Sequence, residues 1–195
     1  MQTEYEATFI NINKDEIRQK LKQVGAVLVK PEGLMKRYTF NLPKGLEHKD
    51  RFVRVRDESD KITLTFKIVP VGGAAIDEQK EICLKVDDFD KAVEFVGAIG
   101  CQEKAYQETK RELWRIGDTE ITIDEWPFLE PLVEVEGQSE QIVKEVSAKL
   151  GFDYSKALFC AVGAIYAQKY GVDENFINNH IPKINFEMEN PFLKF

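Results

Sequence analysis

Glu4-Tyr5-Glu6 and Glu134-Val135-Glu136 are short acidic stretches at opposite ends of the chain, with Asp124 upstream of the second. In a β-strand, residues two apart point to the same face. Each triplet therefore sets two carboxylates side by side and turns its central residue the other way. Four or five carboxylates on one interior surface repel one another strongly unless cations partner them. Hard oxygen donors of this kind suit Mg²⁺ or Mn²⁺. Between the two triplets, Arg54 and Arg56 repeat the same spacing with the opposite charge. Carboxylates for a metal and guanidinium groups for phosphate form one chemical constellation.

The strands between the acidic ends sort by the same alternation. Phe52, Arg54 and Arg56 oppose Val53 and Val55; Thr63, Thr65 and Lys67 oppose Leu64, Phe66 and Ile68. Glu81 and Lys85 oppose Ile82, Leu84 and Val86, while Thr122 and Asp124 oppose Ile121 and Ile123. Arg111 and Arg115 share a face with Leu113 between them. One such strand reads simply as a sheet with its polar face in water. Seven of them, with carboxylates at the ends and arginines in the middle, point to a closed barrel with a polar interior, its apolar outside covered by helices.

The periodicity supplies both elements. Strands are expected over residues 3–10, 27–30, 35–41, 51–57, 62–69, 80–86, 105–116, 120–125 and 132–136, with a hairpin turn at Asp57-Glu58-Ser59-Asp60 and a loose connection at Gly72-Gly73. Amphipathic helices are expected after the caps Asn13, Asp88 and Ser139, ending at Gly25, Gly100 and Gly151. A fourth helix is expected over 154–170. Each Glu-x-Glu strand is followed by a cap, a helix and a glycine, a suggestive internal echo. The fold class is α+β, an eight-stranded antiparallel closed β-barrel with amphipathic helices packed outside. Residues 1–171 form the domain and 172–195 a C-terminal tail laid over it or partly disordered.

The 195 residues suffice for a single domain with a sizeable core, and the net charge of −7 argues against a general nucleic-acid or anionic-membrane surface. Cys83, Cys101 and Cys160 are an odd number without a C-x-x-C spacing, which reads as reduced cysteines of a cytoplasmic protein. No apolar run reaches membrane-spanning length. Other motifs carry little. His48 and His180 are isolated and read as surface residues. Lys44-Gly45 lacks the rest of a phosphate-cradling loop, and Cys160 reads as packing on an apolar helix. Trp126 and Phe128, beside Pro127 and Pro131, read as a hairpin corner or a tunnel mouth.

The ordered set Glu4-x-Glu6, Arg54-x-Arg56, Leu64-Thr65-Phe66-Lys67, Arg111 with Trp114, Asp124 and Glu134-x-Glu136 resembles the CYTH family, also called triphosphate tunnel metalloenzymes. The resemblance covers roughly residues 3 to 160, and residues 124–137 resemble the family's penultimate hairpin. It implies a tunnel that binds a linear triphosphate with Mg²⁺ or Mn²⁺. It also implies that Glu4, Glu6, Asp124, Glu134 and Glu136 serve the metal, and that Arg54, Arg56, Lys67 and Arg111 grip phosphate. The resemblance further implies a catalytic set of Glu4, Glu6 and Glu81, with Glu81 positioning a basic side chain or a water.

The expected activity is metal-dependent hydrolysis of an inorganic or organic triphosphate, such as tripolyphosphate or thiamine triphosphate. Class IV adenylyl cyclase chemistry and non-catalytic triphosphate or polyphosphate binding are the alternatives. The expected partner is a small-molecule triphosphate; a homodimer is allowed, and neither nucleic acid nor membrane is engaged. Two positions depart from the family pattern. Thr8 stands where a Glu-x-Glu-x-Lys motif would place lysine, and Thr109 precedes Lys110-Arg111 where Lys-x-Arg is usual. Both remove charge from the tunnel and imply slow turnover, unless Lys36 or Lys110 reaches the same phosphate. A register shift by one would turn Lys110 inward and Arg111 outward.

Overall fold

The computed structural model describes residues 1–70 and 75–194, the last by its backbone alone. Its N-terminal strand is interrupted at one residue, Glu4. The first piece, β1 (Gln2–Thr3), pairs with β6 (Lys80–Val86), and the second, β2 (Tyr5–Phe9), pairs with β9 (Leu132–Gly137). The remaining strands are β3 (Val27–Asn41), β4 (Arg51–Asp57), β5 (Ile62–Ile68), β7 (Gln102–Ile116) and β8 (Thr119–Glu125). Hydrogen bonding runs in the order β1-β6-β5-β4-β3-β7-β8-β9-β2, antiparallel at every step. Since β1 and β2 flank a single residue, the two ends of this path meet and the sheet closes. With the interrupted strand counted once, the path has eight staves, the expected barrel.

Closure leaves apolar residues outside and polar ones inside. Ala7, Phe9, Ile121, Ile123, Val133 and Val135 face outward into a core completed by Ile17 and Leu21 of α1 (Lys14–Gln23) and Val143 and Val146 of α3 (Glu140–Lys149). α2 (Phe89–Ala98) places Phe89, Ala92 and Val96 over Phe40 and Val55. Side-chain oxygens of Asn13, Asp88 and Ser139 accept from the first-turn amides of these helices. Each fully buried Leu or Ile contributes about 1.5–3 kcal/mol, against about 1 kcal/mol for a typical cap, and the buried aliphatics outnumber the caps. The outer core therefore holds the barrel in a shape that gathers like charges inside it.

Two segments differ from the periodicity reading. Residues 27–30 and 35–41 belong to one strand, β3, whose pairing with β7 is broken by register shifts. The helix expected over 154–170 is a 3₁₀ turn at Tyr154–Lys156, an extended stretch, and then α4 (Val162–Tyr170). In that stretch Leu158 exchanges two backbone hydrogen bonds with Thr8, of 3.0 and 2.9 Å. Side-chain spacing carries no sign of this backbone pairing. Residues 172–194 pack on the barrel: α5 (Glu174–His180) is followed by β10 (Lys183–Ile184), which adds to β7 in parallel. Ile177, Ile181, Ile184 and Phe192 bury themselves with Trp126 and Tyr166. The loose connection at Gly72-Gly73 lies outside the described residues. Among the described residues, no helix is long and apolar enough to cross a membrane.

Candidate functional site

The inward faces enclose a polar cavity of about 340 Å³. Glu4, Glu6, Arg54, Arg56, Lys67, Glu81, Arg111, Glu134 and Glu136 all line it, and Asp124 lies directly behind Arg111. Cross-strand register brings them together. Glu6 of β2 stands opposite Glu136 of β9, Thr8 opposite Glu134, and Arg111 of β7 opposite Asp124 of β8. Directly opposed residues share a face.

One wall is acidic. Arg111 grips Asp124 with Nε and Nη2, each at 2.6 Å, and Nη2 also donates to Glu134 at 2.5 Å. Burial pushes the Glu134 carboxyl up, but Arg111 and Lys67 outweigh it and hold the group below its usual range. Burial dominates at Asp124, whose carboxyl is raised despite Arg111. Among the described residues Glu6 has no cationic partner within ion-pair distance, and burial together with Glu134 pushes it well above the ordinary carboxylate range. Glu136 is also raised by burial. Burial raises Glu4 to about 7 although Lys67 Nζ stands 2.9 Å from its Oε2. That approach lacks hydrogen-bond geometry and leaves Oε2 without a hydrogen-bond partner. Lys67 also lies opposite Glu81, at 3.7 Å.

The facing wall is basic. Thr39 of β3 stands opposite Arg54 of β4, and Arg37 opposite Arg56. Arg56 donates from Nε to Glu58 at 2.9 Å, with Nη2 at 2.6 Å. Among the described residues, no carboxylate lies within ion-pair distance of Arg54, and its Nε has no hydrogen-bond partner. Burial and the neighbouring Arg56 lower it to about 10. Arg37 and Glu58 escaped the sequence reading. Arg37 was legible: alternation in Met35–Asn41 sets Arg37 and Thr39 against Tyr38, so that strand deserved the sorting given to its neighbours. Glu58 was hidden by its position in a turn.

The structure settles several side-chain directions. Arg111 points inward and Lys110 outward, where Lys110 meets Glu125 at 3.2 Å and the Phe186 ring at 4.5 Å. Lys36 is outside as well, 3.6 Å from Asp57 and 4.8 Å from the Phe89 ring centre. Neither lysine replaces the one missing at Thr8. Cys160 is not on a helix; it precedes α4 and lines the cavity, and burial raises its thiol to about 11. Trp126 is buried and lines the cavity, while Phe128 at the same turn takes a positive φ of 67°.

The acidic wall suits a hard cation chemically. Among the described residues Glu6 and Glu136 face each other with no cation within ion-pair distance, and Glu4 Oε2 lacks a hydrogen-bond partner. Among the described residues, no three candidate ligands converge as a ready cage. Arg111 and Lys67 already engage Asp124, Glu134 and Glu4.

Comparison with known proteins places the chain. The CYTH domain model matches residues 2–159, and the chain belongs to that family. A protein of Methanocaldococcus jannaschii named "Putative adenylate cyclase" is 25% identical over 128 residues, covering 64% of this chain and 70% of that protein. A Vibrio parahaemolyticus structure of the same description superposes with a TM-score of 0.72 at 13% identity, covering 85% of this chain and 98% of that one. A Hippeastrum protein described as an adenylyl cyclase candidate with a dominant triphosphatase activity superposes at 0.55 with 13% identity, covering 86% and 96%. At these identities the structural likenesses establish the fold.

Proposed function

We propose that this protein hydrolyses a linear triphosphate with the help of a divalent cation. One observation carries the reading: a carboxylate wall short of cations faces a guanidinium wall short of anions across one cavity. A metal–triphosphate complex brings the missing charge to both. When bound, Mg²⁺ or Mn²⁺ at Glu4, Glu6, Glu134 and Glu136 supplies Lewis-acid polarisation and charge neutralisation. Arg54, Arg56 and Arg111 present planar donor forks to the phosphate oxygens, and Lys67, held between Glu4 and Glu81, adds a movable point charge. Asp124 fixes the plane of Arg111.

Hydrolysis transfers the terminal phosphoryl group to water. The water oxygen forms a bond to the terminal phosphorus, the bond to the bridging oxygen breaks, and the remaining diphosphate leaves with the electron pair, as pyrophosphate when the substrate is tripolyphosphate. The attacking water gives up its proton to bulk solvent as the phosphate product forms. Glu81 keeps Lys67 oriented.

The relative named as an adenylate cyclase favours a second reading, in which a ribose hydroxyl replaces water and cyclic AMP and pyrophosphate are formed. Binding without turnover is the third. A single panel separates them: tripolyphosphate, thiamine triphosphate and ATP, each with Mg²⁺ or Mn²⁺, with phosphate, pyrophosphate and cyclic AMP measured. Phosphate release from tripolyphosphate is expected. Cyclic AMP as the main product from ATP overturns hydrolysis in favour of cyclisation. Tight binding with no product leaves a binding module.

A further inference from the structure

Arg37 is 4% exposed, yet it has no carboxylate partner among the described residues. Its Nη2 donates to the Thr109 hydroxyl, its guanidinium carbon lies 4.6 Å from the centre of the Trp126 ring, and its Nε has no hydrogen-bond partner. A buried guanidinium without a counter-ion is costly. Stacking on an indole and one neutral hydroxyl compensate only in part. The group also stands opposite Arg56 and near Arg54 and Arg111, and burial with this crowding lowers its pKa well below the usual arginine value. Like charges gathered this way destabilise the ligand-free fold.

The position of Arg37 suggests why it is retained. Thr8 is buried on the inner face opposite Glu134, and its backbone is tied to Leu158. Leu158 packs in the same apolar cluster as Trp126, the ring on which Arg37 lies. Arg37 also acts electrostatically on Glu134, the cross-strand partner of Thr8. A guanidinium from β3 thus acts on the cross-strand partner of Thr8 and rests on a ring in the cluster that Leu158 joins. Thr109, the other position short of a cation, is the residue that holds it.

We propose that Arg37 is a phosphate-binding residue that carries, from the opposite wall, the positive charge that Thr8 does not supply. Trp126 and Thr109 aim its guanidinium at an oxygen of the bound triphosphate. The proposal rests on the triphosphate reading above and adds to it a residue and a division of labour between strands. It also implies that the two threonines need not weaken the enzyme.

The test compares wild type with Arg37→Met, Thr8→Lys, the double variant and, as a control on the site itself, Arg54→Ala. Tripolyphosphate binding with Mg²⁺ is followed by calorimetry, hydrolysis by phosphate release, and ligand-free stability by thermal melting. Arg37→Met is expected to melt at a higher temperature than wild type, because it removes an unpaired buried charge at similar volume. It should bind tripolyphosphate roughly 10- to 100-fold more weakly, the range for hydrogen bonds to charged groups. Adding Thr8→Lys to it should restore most of that loss, while Thr8→Lys alone should gain little.

Wild-type affinity and turnover in Arg37→Met, alongside a clear loss in Arg54→Ala, would overturn the role of Arg37 and leave the triphosphate site standing. Absence of rescue in the double variant would overturn the link to Thr8. Unchanged affinity in Arg54→Ala and Arg37→Met together would overturn the triphosphate reading as well. If Arg37→Met does not fold, Arg37→Lys decides. A roughly tenfold weaker affinity there supports the role of the planar fork, and wild-type affinity reduces Arg37 to a scaffold charge.

Discussion

The acidic and basic walls of the barrel are built by the same alternation of side chains but satisfied in opposite ways. On the acidic side, Arg111 neutralises Asp124 and Glu134, and Lys67 stands beside Glu4 and Glu81. The mismatch there is confined largely to Glu6, Glu136 and one oxygen of Glu4. On the basic side, among the described residues, only Arg56 has a carboxylate partner, Glu58, while Arg37 and Arg54 have none. The acidic wall is partly wired for its own stability; the basic wall waits for something negative. Buried unpaired charge costs folding free energy, and an outer core of aliphatic residues is what lets the barrel tolerate it.

The largest expected effect comes from removing the charge of Glu4 and Glu6 together. Glu4→Gln/Glu6→Gln changes little volume but deprives the acidic wall of Glu6, which has no cation within ion-pair distance among the described residues, and of Glu4, whose Oε2 lacks a hydrogen-bond partner. Metal-dependent turnover or binding should fall by more than about 100-fold, since even groups behind metal ligands cost 10- to 100-fold when lost. The same variant should be more stable without ligand, because both carboxyls sit above their ordinary range. Full activity of the double variant in excess chelator would remove the acidic wall from the chemistry.

Much of this arrangement is legible in the sequence, and the reasons are local. Period-two alternation gives the inner face of each strand directly, so Glu4, Glu6, Arg54, Arg56, Lys67 and Glu81 could be placed on inner faces from spacing alone. Closure of the sheet through Glu4 is less legible, because a strand that pairs with β6 on one side of a residue and β9 on the other looks like one strand in sequence. The register ambiguity at Thr109-Lys110-Arg111 is of the same kind. A slip of one residue exchanges every side chain, and only the pairing of Arg111 with Asp124 fixes it. The extended segment at Leu158 was hidden because Leu158, Val162, Ile165 and Tyr166 keep helical spacing, while the deciding interaction is between backbones.

The next prediction sharpens the contrast within the basic wall. Arg54→Ala and Arg56→Ala should each weaken tripolyphosphate binding by about 1.5–3 kcal/mol, as expected for lost hydrogen bonds to a charged group. Their ligand-free stabilities should differ in sign. Arg54 has no carboxylate partner, so removing it relieves repulsion from Arg56 and leaves the melting temperature unchanged or higher. Removing Arg56 strands the buried Glu58, which Lys61 approaches only to 3.4 Å, and should cost about 1–3 kcal/mol. Equal destabilisation by both would mean that Arg54 has a structural partner and that the two arginines are alike. Unchanged binding in both would remove them from the site.

The smallest effect is a pH dependence that isolates Glu4 from the rest of the acidic wall. Its carboxyl is raised from 4.5 to about 7 in the folded chain, by burial first and by Glu81, against the pull of Lys67. Below about 4.5 the group is protonated in both folded and unfolded chains and contributes no slope. Between about 4.5 and 7 the folded protein keeps a proton that the unfolded chain has released, so stability falls as pH rises. Above about 7 both states are ionised and the slope vanishes. The loss across this window is on the order of 1–3 kcal/mol, given the coupling to Lys67 and Glu81. Glu58 and Glu125, held below their ordinary range by Arg56 and by Lys14, tilt the raw curve the other way. The informative quantity is therefore the difference in melting temperature between wild type and Glu4→Gln. That difference should widen in favour of Glu4→Gln from pH 5 to pH 7.5 and narrow when Mg²⁺ and tripolyphosphate are added to both. A difference that stays constant with pH would mean that Lys67 compensates Glu4 fully, and that the acidic wall is no more in need of a cation at Glu4 than at Asp124.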